Sequence, residues 1–113
     1  MPFINIKTNV KISKESEISI KSSLGEAITN IPGKSEAWLM VGLEPEYILY
    51  FKGEDSPAAM VEVRIFGGAN RPSYNKMTSE ICRILNYELG IPQDRIYVKY
   101  TETENWGWNG ANF

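Results

Sequence analysis

Apolar and polar positions alternate from Phe3 to Thr8, with Ile4 and Ile6 pointing one way and Phe3, Asn5 and Lys7 the other. A period of two predicts a half-buried strand. Asn9 and Val10-Lys11-Ile12 lead out of it, and the period then changes. Ile20, Leu24, Ala27, Ile28 and Ile31 recur at helical spacing and form one apolar face. Ser13 stands where an N-cap belongs, and Glu15 and Glu17 in the first turn suit the positive end of the helix dipole. Pro32-Gly33 ends the helix. Trp38 to Leu43 is a near-continuous apolar run and predicts a second strand, with Lys34 at its start. The helix between the two strands predicts that they run parallel. Tyr47 to Phe51 predicts a further short strand after Glu44-Pro45-Glu46, and Lys52 to Pro57 a polar turn.

The second half repeats the plan. Ala58 to Phe66 predicts a strand, Gly67-Gly68-Ala69-Asn70 a tight turn, and Pro72 the start of a helix, where a missing N–H costs nothing. Met77, Ile81, Ile84, Leu85 and Leu89 form that helix's apolar face, which Gly90 and Pro92 close. From Arg95 to Thr101, Ile96, Val98 and Tyr100 face the helices while Tyr97 and Lys99 face away. The tail from Asn105 to Phe113 is aromatic and turn-rich. The element order is therefore β-α-β-β followed by β-α-β. It specifies an α+β fold of two β-α-β units, a four-stranded mixed sheet with two helices on one face. The other face carries Phe3 and Tyr97 and is left uncovered, which predicts self-association.

Composition narrows the chemistry. At 113 residues, one domain spanning 1–113 is expected, large enough for a real core. Twelve basic residues against fourteen acidic ones give a net charge of −2, which points to no nucleic-acid or anionic-membrane partner. There is no histidine, so a histidine general base, a histidine-activated nucleophile and a histidine-ligated zinc are all excluded. The single cysteine, Cys82, lies on the second helix and reads as a small core residue rather than half of a redox pair. No run reaches transmembrane length and no signal peptide opens the chain, so a cytoplasmic protein is the expectation.

Within these bounds the chain's start carries the most distinctive chemistry. Proline directly after the initiator methionine permits removal of Met1, which would leave Pro2 as a free secondary amine at a strand edge. A free α-amino group titrates near pH ~7.7–8.0, and burial or a nearby cation lowers that value. Such a base suits proton abstraction beside a carbonyl. Parallel first and second strands would bring Lys34 to the same end as Pro2, where its charge would hold a carboxylate; taken alone, it reads first as a solvated lysine after a helix. Gly67-Gly68 would make an anion-binding nest, or simply a turn. Trp106, Trp108 and Phe113 would line a mouth for an aromatic substrate or pack on a neighbouring subunit, and Tyr97 and Lys99 would serve an interface.

Met1-Pro2-Phe3, Thr8-Asn9, Gly33-Lys34, Ser56-Pro57-Ala58, Asn70-Arg71 with Ser73-Tyr74, Asp94-Arg95-Ile96-Tyr97 and Asn105-Trp106-Gly107-Trp108-Asn109-Gly110 with Phe113 recur in one order over the whole chain. In this the sequence resembles the macrophage migration inhibitory factor (MIF) family of the tautomerase superfamily. The resemblance implies a homotrimer whose sheets form a central barrel, with active sites at subunit interfaces. It implies cofactor-free keto–enol tautomerisation of phenylpyruvate-like 2-oxo acids. It places the general base at Pro2 and the carboxylate-binding lysine at Lys34. A substrate-holding backbone N–H falls at Phe66, an aromatic wall at Trp38, the adjacent subunit's tyrosine at Tyr97, and rim aromatics at Trp108 and Phe113, with Phe3 and Trp106 completing the walls. Departures are Lys99 where the family has asparagine, which adds a cation, Arg64 in place of a histidine near the pocket, and Ala58-Ala59-Met60-Val61 in place of the vertebrate Cys-x-x-Cys. Two other readings stay open: a MIF-like cytokine or signalling ligand with a secondary pocket, whose receptor leaves no local motif, and an oligomeric binder of aromatic acids.

Overall fold

The computed structural model describes residues 1–113. Strand β1 (Pro2–Thr8) leads to helix α1 (Lys14–Ala27), which tightens into a 3-10 turn at Ile28–Asn30. A second 3-10 turn, Glu36–Trp38, precedes β2 (Met40–Glu44). Then come β3 (Ala59–Phe66), α2 (Arg71–Leu89), a third 3-10 turn at Gln93–Arg95, and β4 (Ile96–Thr103). A short hairpin of β5 (Gly107–Trp108) and β6 (Ala111–Asn112) ends the chain.

The four long strands form one sheet in the order β2-β1-β3-β4. β1 runs parallel to β2 and β3 runs parallel to β4, each pair joined through a helix, while β1 and β3 are antiparallel. Two β-α-β units thus meet at the sheet's centre. The period-two expectation for β1 holds: Pro2, Ile4, Ile6 and Thr8 are buried and their neighbours half-buried. Ile4, Ile6, Val61, Val63, Ile65 and Ile96 form the sheet's side of one core, and Ile20, Leu24, Ala27, Ile28, Met77, Ile81, Ile84 and Leu85 the helices' side. Cys82 is buried with them. The caps form as the sequence implies. The Ser13 side chain accepts from the Ser16 N–H, Asn70 accepts from the Ser73 N–H, and Gly90 takes the left-handed cap of α2.

Two expected strands differ. The apolar run from Trp38 becomes a strand only at Met40, because β1 pairs Phe3 with Met40 and offers almost nothing beyond that point. Trp38 lies instead in the 3-10 turn, and Lys34 precedes that turn rather than starting the strand. β2 is a sheet edge, so its apolar residues are not buried, and Met40 is 67% exposed. Tyr47 to Phe51 makes no ladder, only an isolated bridge between Phe51 and Glu54. The turn at Glu46, with φ of 55°, diverts the chain from β2. Asn9 then fixes the segment, donating to the carbonyls of Leu49, Asp55 and Ser56 and accepting from the Ala58 N–H. The order is therefore β-α-β then β-α-β, with the tail hairpin in addition.

Candidate functional site

The start of β1 lies beside the end of β3, where Pro2 pairs with Ile65. One residue further on, the Phe66 N–H donates to the Met1 carbonyl at 3.1 Å. The Phe66 carbonyl in turn accepts from Lys34 Nζ at 2.9 Å. The loop after α1 thus delivers Lys34 to the chain's first residues, as the parallel strand order requires. Burial lowers the pKa of the terminal amine first, and the charge and hydrogen bonding of Lys34 lower it further. Both disfavour the ammonium form.

A cleft of about 610 Å³ opens at this end of the sheet, and Met1, Pro2, Phe3, Trp38, Met40 and Arg64 border it. Trp106 and Trp108 close the far side. The chain has three tryptophans, and all three meet here. Trp38 and Trp108 pack edge to face, 5.1 Å between ring centres at 88°. The tail hairpin holds this wall in place, since the Phe113 N–H donates to the Trp106 carbonyl and the Phe113 ring packs 5.2 Å from Phe66.

Pro2, Phe3, Trp38, Trp106 and Trp108 therefore come together as expected from the sequence. Lys34, Phe66 and Phe113 adjoin them without bordering the cleft. Tyr97 and Lys99 do not join them within one chain. Tyr97 pairs with Met60, which pairs with Lys7, five positions along β1 from Pro2; Lys99 is level with Glu62 and Asn5. Met40, Leu39 and Ala37 border the cleft and were not singled out from the sequence; a strand drawn from Trp38 hides the turn that presents them. No group of three or more histidine, cysteine, aspartate or glutamate side chains is placed to hold a metal. No helix is long and apolar enough to cross a membrane.

The arrangement can do acid–base chemistry on an anionic, partly aromatic molecule. It offers an amine with a lowered pKa, a fixed cation beside it and apolar walls. The family model for macrophage migration inhibitory factor matches residues 1–113. The chain is 31% identical to macrophage migration inhibitory factor of Meriones unguiculatus, over 100% of this chain and 99% of that protein. The crystal structure of Leishmania major MIF2 superposes with a TM-score of 0.94 at 32% identity, covering 100% of this chain and 97% of that one. A homologue from Prochlorococcus marinus superposes with a TM-score of 0.89 at 27% identity, covering 98% of each chain.

Proposed function

The chain belongs to the macrophage migration inhibitory factor family of the tautomerase superfamily, and from that premise we propose that it is a cofactor-independent keto–enol tautomerase of phenylpyruvate-like 2-oxo acids. The general base is Pro2, uncovered by removal of Met1. Its neutral nitrogen takes a proton from the carbon beside the ketone. The C–H electron pair becomes the C=C bond of the enolate and the carbonyl π pair moves onto oxygen. The Pro2 ammonium then returns the proton to that oxygen, and the reverse sequence ketonises an enol. Lys34 anchors the substrate carboxylate and offsets the enolate charge as it develops. Removal of Met1 also strips the Phe66 N–H of its carbonyl partner, which leaves it free to donate to substrate. Phe3, Trp38, Trp106, Trp108 and Phe113 hold the aryl group and keep the base desolvated.

The observation that carries this reading is Lys34 Nζ held on the Phe66 carbonyl, beside the chain's first residues and a tryptophan-walled cleft. Tyr97 and Lys99 lie on the outward sheet face, away from their own Pro2. Their place in the reading is the neighbouring subunit's site in a homotrimer. The test is the mass of the purified chain together with a phenylpyruvate enol–keto assay on the processed protein and on Pro2→Gly. Pro2→Gly leaves a primary amine on a mobile backbone in place of the rigid ring nitrogen, and that loss of positioning should lower the rate about 100-fold. Equal rates, or full activity in a chain that keeps Met1, would overturn the mechanism.

A further inference from the structure

Arg64 is the one charged side chain that borders the cleft, and neither the base nor the carboxylate anchor of the proposed reaction uses it. β3 places it. Arg64 pairs with Phe3 across the β1–β3 ladder, one residue before the Ile65 that pairs with Pro2. Lys34 binds the Phe66 carbonyl, one residue after Ile65. Two cations therefore bracket the position of Pro2 along one strand. Arg64 and Phe66 are two residues apart along β3, about 7 Å from Cα to Cα at strand spacing.

The guanidinium lies over the Phe3 ring, 5.9 Å from its centre, so the cleft wall orients it. Its Nη2 donates to Glu62 at 2.7 Å, and it makes no other hydrogen bond in the chain. Glu62 is shared among several cations. Arg64, Lys7 and Lys99 all act on Glu62 and favour its ionised form. Lys7 is also within 3.6 Å of Glu44. Three cations thus face two carboxylates on the outward face of the sheet, and of these five groups Arg64 borders the cleft. An aryl group seated between the tryptophans and Phe3 would carry its far end to a guanidinium with free donors, a group suited to bidentate carboxylate binding.

We infer that Arg64 is a specificity-determining residue that selects 2-oxo acids bearing a second anionic group, in the manner of a carboxylate on the far side of the aryl ring. Lys34 takes the 2-oxo carboxylate and Arg64 the distal one, with Glu62 as the intramolecular competitor that the second anion displaces. The inference deepens the tautomerase reading and rests on it for the 2-oxo acid half of the substrate.

The experiment compares the N-terminally processed wild type, Arg64→Met and Glu62→Gln. One arm reads the ratio of kcat/KM for 4-carboxyphenylpyruvate to that for phenylpyruvate. The other reads tryptophan fluorescence on titration with benzene-1,4-dicarboxylate and with benzoate, since every tryptophan borders the cleft. Wild type should prefer the dianion in both arms. Arg64→Met should reduce the preference about fivefold, the scale of one partly solvated charge pair, whereas Glu62→Gln should increase it. A purely structural Arg64–Glu62 pair would move both variants in the same direction, which would overturn the inference. So would a dianion preference that Arg64→Met leaves intact, or its absence from wild type. If no 2-oxo acid is turned over, the tautomerase reading fails, and the fluorescence arm still decides whether Arg64 selects dianions.

Discussion

Removal of Met1 shifts the terminal amine one residue into β1, toward the pairing with Ile65 and still beside Lys34. On the proposed mechanism, the causes that lower the Met1 amine, burial first and Lys34 second, would act on Pro2 in turn. Because the base works unprotonated, kcat/KM should rise with pH through a limb below the free-amine range of about 7.7–8.0. Lys34→Met removes the smaller cause and leaves burial. The limb should move up in pH without reaching that range, and KM for the carboxylate should rise; a pH–rate profile measures both. An unmoved limb would take Lys34 out of the base's surroundings. A second residue-scale prediction concerns Tyr74, whose hydroxyl is hydrogen-bonded to Glu102 and accepts from the Ala69 N–H. Burial first, then the hydrogen bond to Glu102, pushes its pKa up to about 12 from an ordinary value near 10. A raised folded-state pKa contributes stability that is complete below pH 10 and is lost as pH rises toward 12. Tyr74→Phe should remove that alkaline loss, seen as a flatter denaturation midpoint between those values, and should lower stability at neutral pH by about 1 kcal/mol.

At the scale of elements, the tail hairpin is the part whose signal was present and unread. Asn109 and Gly110, with φ of 53° and 88°, form the turn between β5 and β6. Asn-Gly is the residue pair that a tight hairpin with two positive φ values requires. The tail is so rich in turn formers that this pair did not stand out from the rest. The hairpin carries Trp108 against Trp38 and lies outside the helix–sheet core. Gly110→Ala should therefore raise KM for an aryl substrate while shifting the melting temperature little. Gly90→Ala should do the reverse. Its φ of 68° caps α2, and a Cβ there costs about 1–2 kcal/mol. A loss of that order corresponds to a fall of roughly 4–8 °C with activity retained at low temperature. The helices were legible because their apolar faces repeat over three turns or more and both caps are local. β2 and the Tyr47–Phe51 segment were not, because an apolar run says nothing about which ladder partners exist. Met40 has Phe3 to pair with, Trp38 has no such neighbour, and Tyr47 to Phe51 is held by Asn9 rather than by a strand.

For the whole molecule, the decisive feature is the separation of Tyr97 and Lys99 from Pro2 along the sheet. If the proposed trimer builds each site from two subunits, Pro2→Gly and Tyr97→Ala should each be poor enzymes alone. Refolded together as mixed assemblies, they should regain turnover, because some sites then pair an intact Pro2 with an intact Tyr97. Sedimentation should give three times the chain mass. A monomer, or mixtures no more active than their components, would leave Tyr97 outside the site.

The periodicity of the chain was enough to set two β-α-β units, their parallel pairings and the buried face of each helix. These follow from local spacing and from the crossover rule, neither of which needs knowledge of distant contacts. Only the tertiary structure decided that Trp38 lies in a turn against Trp108, that Tyr47 to Phe51 has no ladder, and that Arg64 sits over the Phe3 ring and bonds Glu62. Each of those depends on the register between strands far apart in sequence, and register is set by the packing of the whole sheet rather than by any segment alone.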